Sequence, residues 1–153
     1  MRSYNPMCVI DVTIQVVSLE QRTKRPRVTG PQPLSDDGSS MAASINAAIA
    51  ALIDAGVPLR FAAAAVCCAV MEDGTIVSDP SREQETKAVG TCTFVVRIPN
   101  EEIVSSIPSG FVQEKSYLAA MEAACSEAHI VSAFLRMAME QKISRERQCW
   151  GDV

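Results

Sequence analysis

The sequence predicts an α+β fold of two layers, in which helices gather on one face of a mixed, mostly antiparallel sheet. Three observations lead to this prediction: an amphipathic helix early in the chain, several strand patterns joined by tight turns after it, and one long helical pattern at the end. The order is strand, helix, β-hairpin, two strands and long helix, without an internal repeat. With 153 residues, the chain is expected to be a single domain or part of one, spanning 1–153.

The composition is that of a protein with a packed core. Hydrophobic residues make up 48% of the chain and the mean hydropathy is +0.11, which excludes a disordered tail. The net charge of −4 gives no general attraction to nucleic acid, so any RNA contact must come from local basic patches. The N-terminus has no signal-peptide pattern, and no apolar run reaches the roughly 18 residues of a membrane span. We therefore expect no membrane partner.

The cysteine pattern predicts buried, reduced thiols in a cytosolic or nuclear protein rather than disulfides. None of the six forms a CxxC pair. They are Cys8, Cys67, Cys68, Cys92, Cys125 and Cys149. Because the chain has a single histidine, His129, and no paired cysteine ligands, we expect no metal site and no cofactor.

The N-terminal part of the chain contains one strand pattern and one irregular segment. Apolar and polar residues alternate over Cys8–Val17, which predicts a half-buried strand. Residues 20–37 carry charges and three prolines, which predict a flexible insertion. Its basic residues could contact the RNA backbone or act as a nuclear-import patch, and a solvated basic loop fits them equally well. They are Arg22, Lys24, Arg25 and Arg27.

The segment Gly38–Pro58 predicts a capped helix over Ser40–Ala55. Ser39 or Ser40 can supply the N-cap oxygen, and Gly56 stands where a left-handed C-cap glycine belongs. The predicted apolar face consists of Met41, Ile45, Ala48, Ile49, Leu52 and Ile53. The face opposite to it is rich in alanine, which suits a helix that packs on both sides within an assembly.

The remaining elements follow from apolar runs and turn residues. Phe61–Met71 reads as a strand buried on both faces, with Thr75–Ser78 as its hairpin partner and a polar turn over Asp79–Thr86. Two further strands are expected at Val89–Ile98 and Ile103–Ile107. The second of these is followed by a turn at 108–110. The last helix is expected from Gln113 to about Arg145, with a possible break near residues 127–129 and a mostly core-facing seam.

Several blocks of this sequence resemble the ribonuclease PH family. They are VIDVTIQV, DDGSSMAASINAAIAALIDAGVP, AVCCAVMEDGTIVSDPSREQE, the strand TCTFVV and the long last helix. The resemblance implies a ribonuclease-PH-like domain of the ribosomal protein S5 domain 2-like type, incomplete at its N-terminus. The family contains phosphorolytic 3′-exoribonucleases and ring subunits of the RNA exosome.

The resemblance also implies where a site would lie. In active members, a Gly-Thr-Arg-Thr-Ala-Ser type loop holds the attacking phosphate, and a pair of aspartates six residues apart serves the chemistry. Here the loop corresponds to Gly38, Ser39 and Ser40, Met41 stands at the arginine position, and Asp79 and Glu85 match the acidic pair. Methionine cannot make a charge-assisted contact to phosphate. The alternatives are an ordinary helix cap and a solvated polar turn, and we expect no catalytic residues.

The expected function is that of a non-catalytic exosome ring subunit that supports 3′–5′ RNA processing and rRNA maturation in the nucleus, nucleolus and cytoplasm. The implied partners are other ribonuclease-PH-like subunits in a hexameric ring, cap subunits with S1 and KH domains, and RNA. Two alternatives remain open. One is an active phosphate-dependent 3′-exoribonuclease, and the other is an interaction module without a role in RNA metabolism.

Overall fold

The computed structural model describes residues 10–14 and 37–151. In this part the chain forms a four-stranded antiparallel sheet of order β2-β1-β3-β4, which confirms the predicted α+β class. The elements are α1 (Ser40–Asp54), β1 (Ala62–Val70), β2 (Ile76–Ser78), α2 (Arg82–Lys87), β3 (Gly90–Ile98), β4 (Glu102–Gly110) and α3 (Glu114–Gly151).

The two long helices lie on opposite faces of the sheet, so the prediction that helices gather on one face is wrong. Successive residues of a strand point to opposite faces. Cys68 and Phe94 face α3, whereas Ala65 and Cys67 face α1. Because β1 is apolar at nearly every position, both of its faces need a cover. The result is three layers, α1, sheet and α3.

Helix α1 begins and ends within one residue of the prediction. At its C-terminus Gly56 has φ of 68°, its N–H donates to Ile53 O, and the Val57 N–H donates to Leu52 O, each at 3.0 Å. This is a Schellman ending, as the glycine predicts. Two residues of the predicted apolar face, Met41 and Ile53, are exposed, because only the side with Ala42 and Ile45 packs on the sheet.

Asn46 joins α1 to the open edge of β1. Beyond Cys68, β2 no longer pairs with β1, so among the described residues no strand faces the backbone of Ala65 on that side. The Asn46 side-chain amide donates to Ala65 O and its oxygen accepts from the Ala65 N–H, both at 2.8 Å. One side chain thus replaces both hydrogen bonds of a strand residue and fixes the position of α1 over the sheet.

The predicted strand Cys8–Val17 is not formed in the part of it that the structure describes. Residues 10–14 have no strand pairing, and the side chains of Ile10, Val12 and Ile14 are exposed. An alternating pattern produces a strand only where a sheet edge supplies backbone partners. The rest of this prediction, and the insertion 20–37 apart from Asp37, lies outside the described residues.

Two predicted turns are in fact regular structure. The polar turn over Asp79–Thr86 contains helix α2, whose start is fixed by the Ser81 N–H donating to Gln84 Oε1 at 2.9 Å. Strand β4 extends to Gly110 and includes Pro108, which the sequence places in a turn. Proline is tolerated there because β4 is the last strand of the sheet and its outer side needs no N–H donor.

Helix α3 runs through residues 127–129 without a break, so the predicted interruption is wrong. At 38 residues it is about 57 Å long. Its first half packs on the sheet through Ala120, Ala124 and Ala128, all completely buried, while Leu118 of the predicted seam is exposed. Farther along, the Lys142 ammonium bonds the Asp54 carboxylate of α1 at 2.5 Å.

By length and composition alone, α3 could cross a membrane, since it contains an 18-residue window of mean hydropathy 1.2. A core helix of a soluble protein has the same composition. Because the first half of α3 is packed against β1 and β3, we interpret it as part of the core of this domain.

The thiol of Cys68 makes stability depend on pH. Burial, the largest cause, raises its pKa to about 11 from an ordinary value of 9.0. The unfolded chain loses this proton near pH 9 and the folded chain only near pH 11, so the stabilisation present below pH 9 disappears between the two values. We expect the free energy of unfolding to fall over this range by about 2 kcal/mol.

Chemical denaturation at a series of pH values measures this effect. The variant Cys68→Ala should be less stable overall but should lose less stability between pH 9 and 11. If the free energy of unfolding falls equally steeply with pH in both proteins, Cys68 is not the responsible group.

Candidate functional site

The start of α1 meets the turn between β2 and α2, which brings the predicted loop and the predicted acidic pair together. The Ser39 N–H donates to Glu85 Oε1 at 2.8 Å, and the Ser39 hydroxyl donates to Pro80 O at 3.1 Å. The Arg82 N–H donates to Asp37 O at 2.7 Å. Three hydrogen bonds across 41 to 46 residues of sequence therefore hold the two segments in one place.

Gly38 allows this close approach. Its φ is 101°, a conformation that L side chains rarely adopt. A Cβ at this position would lie 2.5 Å from Pro80 O and 2.7 Å from Arg82 N. Only glycine permits the two backbones to lie this close.

Ser39 does not act as the predicted N-cap. It occupies the cap position, but its φ of 51° is left-handed and its hydroxyl does not bond the α1 backbone. That hydroxyl is directed to Pro80 O instead. The expected capping bond is therefore replaced by a contact between α1 and the acidic turn.

The acidic pair is divided between two environments. Asp79 is exposed, has a left-handed φ of 51°, and donates its N–H to Cys67 O at 2.9 Å. Glu85 is half-buried, with its carboxylate on the Ser39 amide. Of the two acids, Glu85 contacts the start of α1 directly. The chemical role of both stays a prediction.

Glu85 occupies one backbone donor beside the start of α1. Helix N-termini bind phosphate through free N–H groups and the positive end of the helix dipole. Here a carboxylate of the same chain accepts the N–H of Ser39, the residue that precedes the first turn of the helix. Met41, 51% exposed, supplies no positive charge. A carboxylate beside this helix start, with no arginine at position 41, disfavours a phosphate there.

The sequence alone assigned no contact at this junction to two of its residues. Pro80 is fully buried and its carbonyl accepts the Ser39 hydroxyl. Cys67 lies beneath the junction, and burial raises the pKa of its thiol. The side-chain hydrogen bond with Thr93 lowers this pKa, whereas the charges of Glu85 and Asp79 raise it. No local pattern marks either residue, because both become significant only through contact across the sheet.

The structure does not place the predicted RNA-binding residues Arg22, Lys24, Arg25 and Arg27, which lie outside the described part of the chain. Between residues 37 and 151, and at 10–14, no group of three His, Cys, Asp or Glu side chains is arranged to hold a metal ion.

The contact of Glu85 with Ser39 can be tested by substitution. We expect Glu85→Ala to lower the free energy of unfolding by about 1–2 kcal/mol, because it leaves the Ser39 N–H without its charged acceptor. The control Glu85→Gln keeps an oxygen in the same place and should cost less. Urea denaturation of the three proteins measures this, and equal stability of all three would mean that the contact contributes nothing.

Comparison with known proteins adds the family context. Residues 62–127 match the model of the 3′ exoribonuclease family, domain 2. The chain is 32% identical over 133 residues to the exosome complex exonuclease RRP46 homolog of Arabidopsis thaliana, covering 74% of this chain and 55% of that protein. The chain thus spans about half the length of the curated relatives it matches.

Two solved structures are similar to the described domain. The crystal structure of rice Rrp46 superposes with a TM-score of 0.65 at 30% identity, covering 69% of this chain and 50% of that one. The structure of the Caenorhabditis elegans cell-death-related nuclease 5 superposes with a TM-score of 0.62 at 28% identity, covering 71% of this chain and 60% of that one. Both similarities support the fold of the described domain.

Proposed function

From the premise that this chain belongs to the ribonuclease PH family of 3′ exoribonucleases, we propose that it is a non-catalytic ring subunit of the RNA exosome. The observation that carries the non-catalytic assignment is Met41, which stands where active members have an arginine and supplies no positive charge. The Glu85 carboxylate on the Ser39 N–H adds a negative charge beside the same helix start. The ring assignment is supported by similarity to proteins named as exosome components.

Such a subunit acts through its shape and its contacts with neighbouring subunits, and not through catalysis. It pairs with other ribonuclease-PH-like subunits in a six-membered ring, carries S1 and KH cap subunits, and lets RNA pass towards nucleases bound elsewhere. We extend the proposal to rRNA maturation and to a location in nucleus, nucleolus and cytoplasm. The KRPR stretch at 24–27 supports contact with RNA or nuclear import, since it concentrates positive charge in an otherwise acidic chain.

An assay of phosphorolysis tests the non-catalytic part. The whole chain, alone and together with its co-purified partners, is incubated with a 3′-labelled RNA in the presence and absence of inorganic phosphate. We expect no release of nucleoside diphosphates that depends on phosphate and on this chain. A phosphate-dependent release that is lost in Asp79→Asn would replace the proposal with the active 3′-exoribonuclease.

A further inference from the structure

We draw no further inference here: the strongest candidate, the exposed apolar flank of the second half of α3 with Ile130, Phe134 and Met137, is a helix face without a partner among the described residues, and nothing in the structure shows what covers it.

Discussion

Substituting Gly38 by alanine is expected to lower the free energy of unfolding by about 3 kcal/mol or more. Two costs add at this position: a φ of 101°, and a Cβ placed 2.5 Å from Pro80 O and 2.7 Å from Arg82 N. Because both contacts are backbone atoms, neither can move away without separating α1 from the acidic turn. Chemical denaturation measures the loss.

The matched control is Gly56→Ala. Gly56 also has a positive φ, of 68°, but a Cβ there would meet nothing within 4 Å. It should cost only about 1 kcal/mol, the strain of a left-handed conformation. The difference between the two variants isolates the close approach at Gly38. If both cost the same, the contact with the turn is not tight.

Asn46→Ala is expected to cost about 2–4 kcal/mol, because it leaves the N–H and C=O of the buried Ala65 unpaired at the edge of β1. The variant Asn46→Asp keeps an acceptor for the Ala65 N–H but places a second carboxylate oxygen against Ala65 O, so it should recover little of the loss. The exposed Gln141→Ala, also in a helix, should remain within about 0.5 kcal/mol of the wild type. Thermal and urea unfolding of all four proteins give the comparison.

Loss of Asn46 should also loosen the junction at Ser39. Because the side chain fixes α1 over β1, its removal allows the start of α1 to move relative to Glu85. Amide exchange at Ser39 should therefore accelerate in Asn46→Ala. Unchanged exchange there, despite lower stability, would show that the contact with Glu85 alone fixes the helix start.

The elements with strong periodicity could be predicted from the sequence. The apolar run of β1, the Gly56 ending of α1 and the long helical pattern of α3 are encoded locally. The structure confirms the limits of β1 and α1 and the start of α3 to within one residue, whereas α3 ends six residues later than predicted. The short helix α2 had a readable signal, since Ser81 and Gln84 have capping-box spacing. That signal lies in a segment whose polarity favoured the interpretation as a turn.

The side of the sheet on which each helix packs could not be predicted in the same way. It depends on which alternate residues of β1 and β3 meet α1 and which meet α3, and a strand that is apolar throughout gives no preference. The partner of Glu85 could not be predicted either, because the contact with Ser39 spans 46 residues. The resemblance singled out the loop and the acidic pair, but only the geometry showed that Glu85 accepts the Ser39 N–H.

Affinity purification of the whole chain from its own cells, with identification and quantification of the bound proteins by mass spectrometry, decides whether it is a ring subunit of the exosome. We expect other ribonuclease-PH-like exosome subunits to co-purify in near-equal amounts, together with cap subunits. Recovery of the chain without any of them, under conditions in which a known exosome subunit retrieves the complex, would contradict the role as a ring subunit. It would favour an interaction module that shares only the fold.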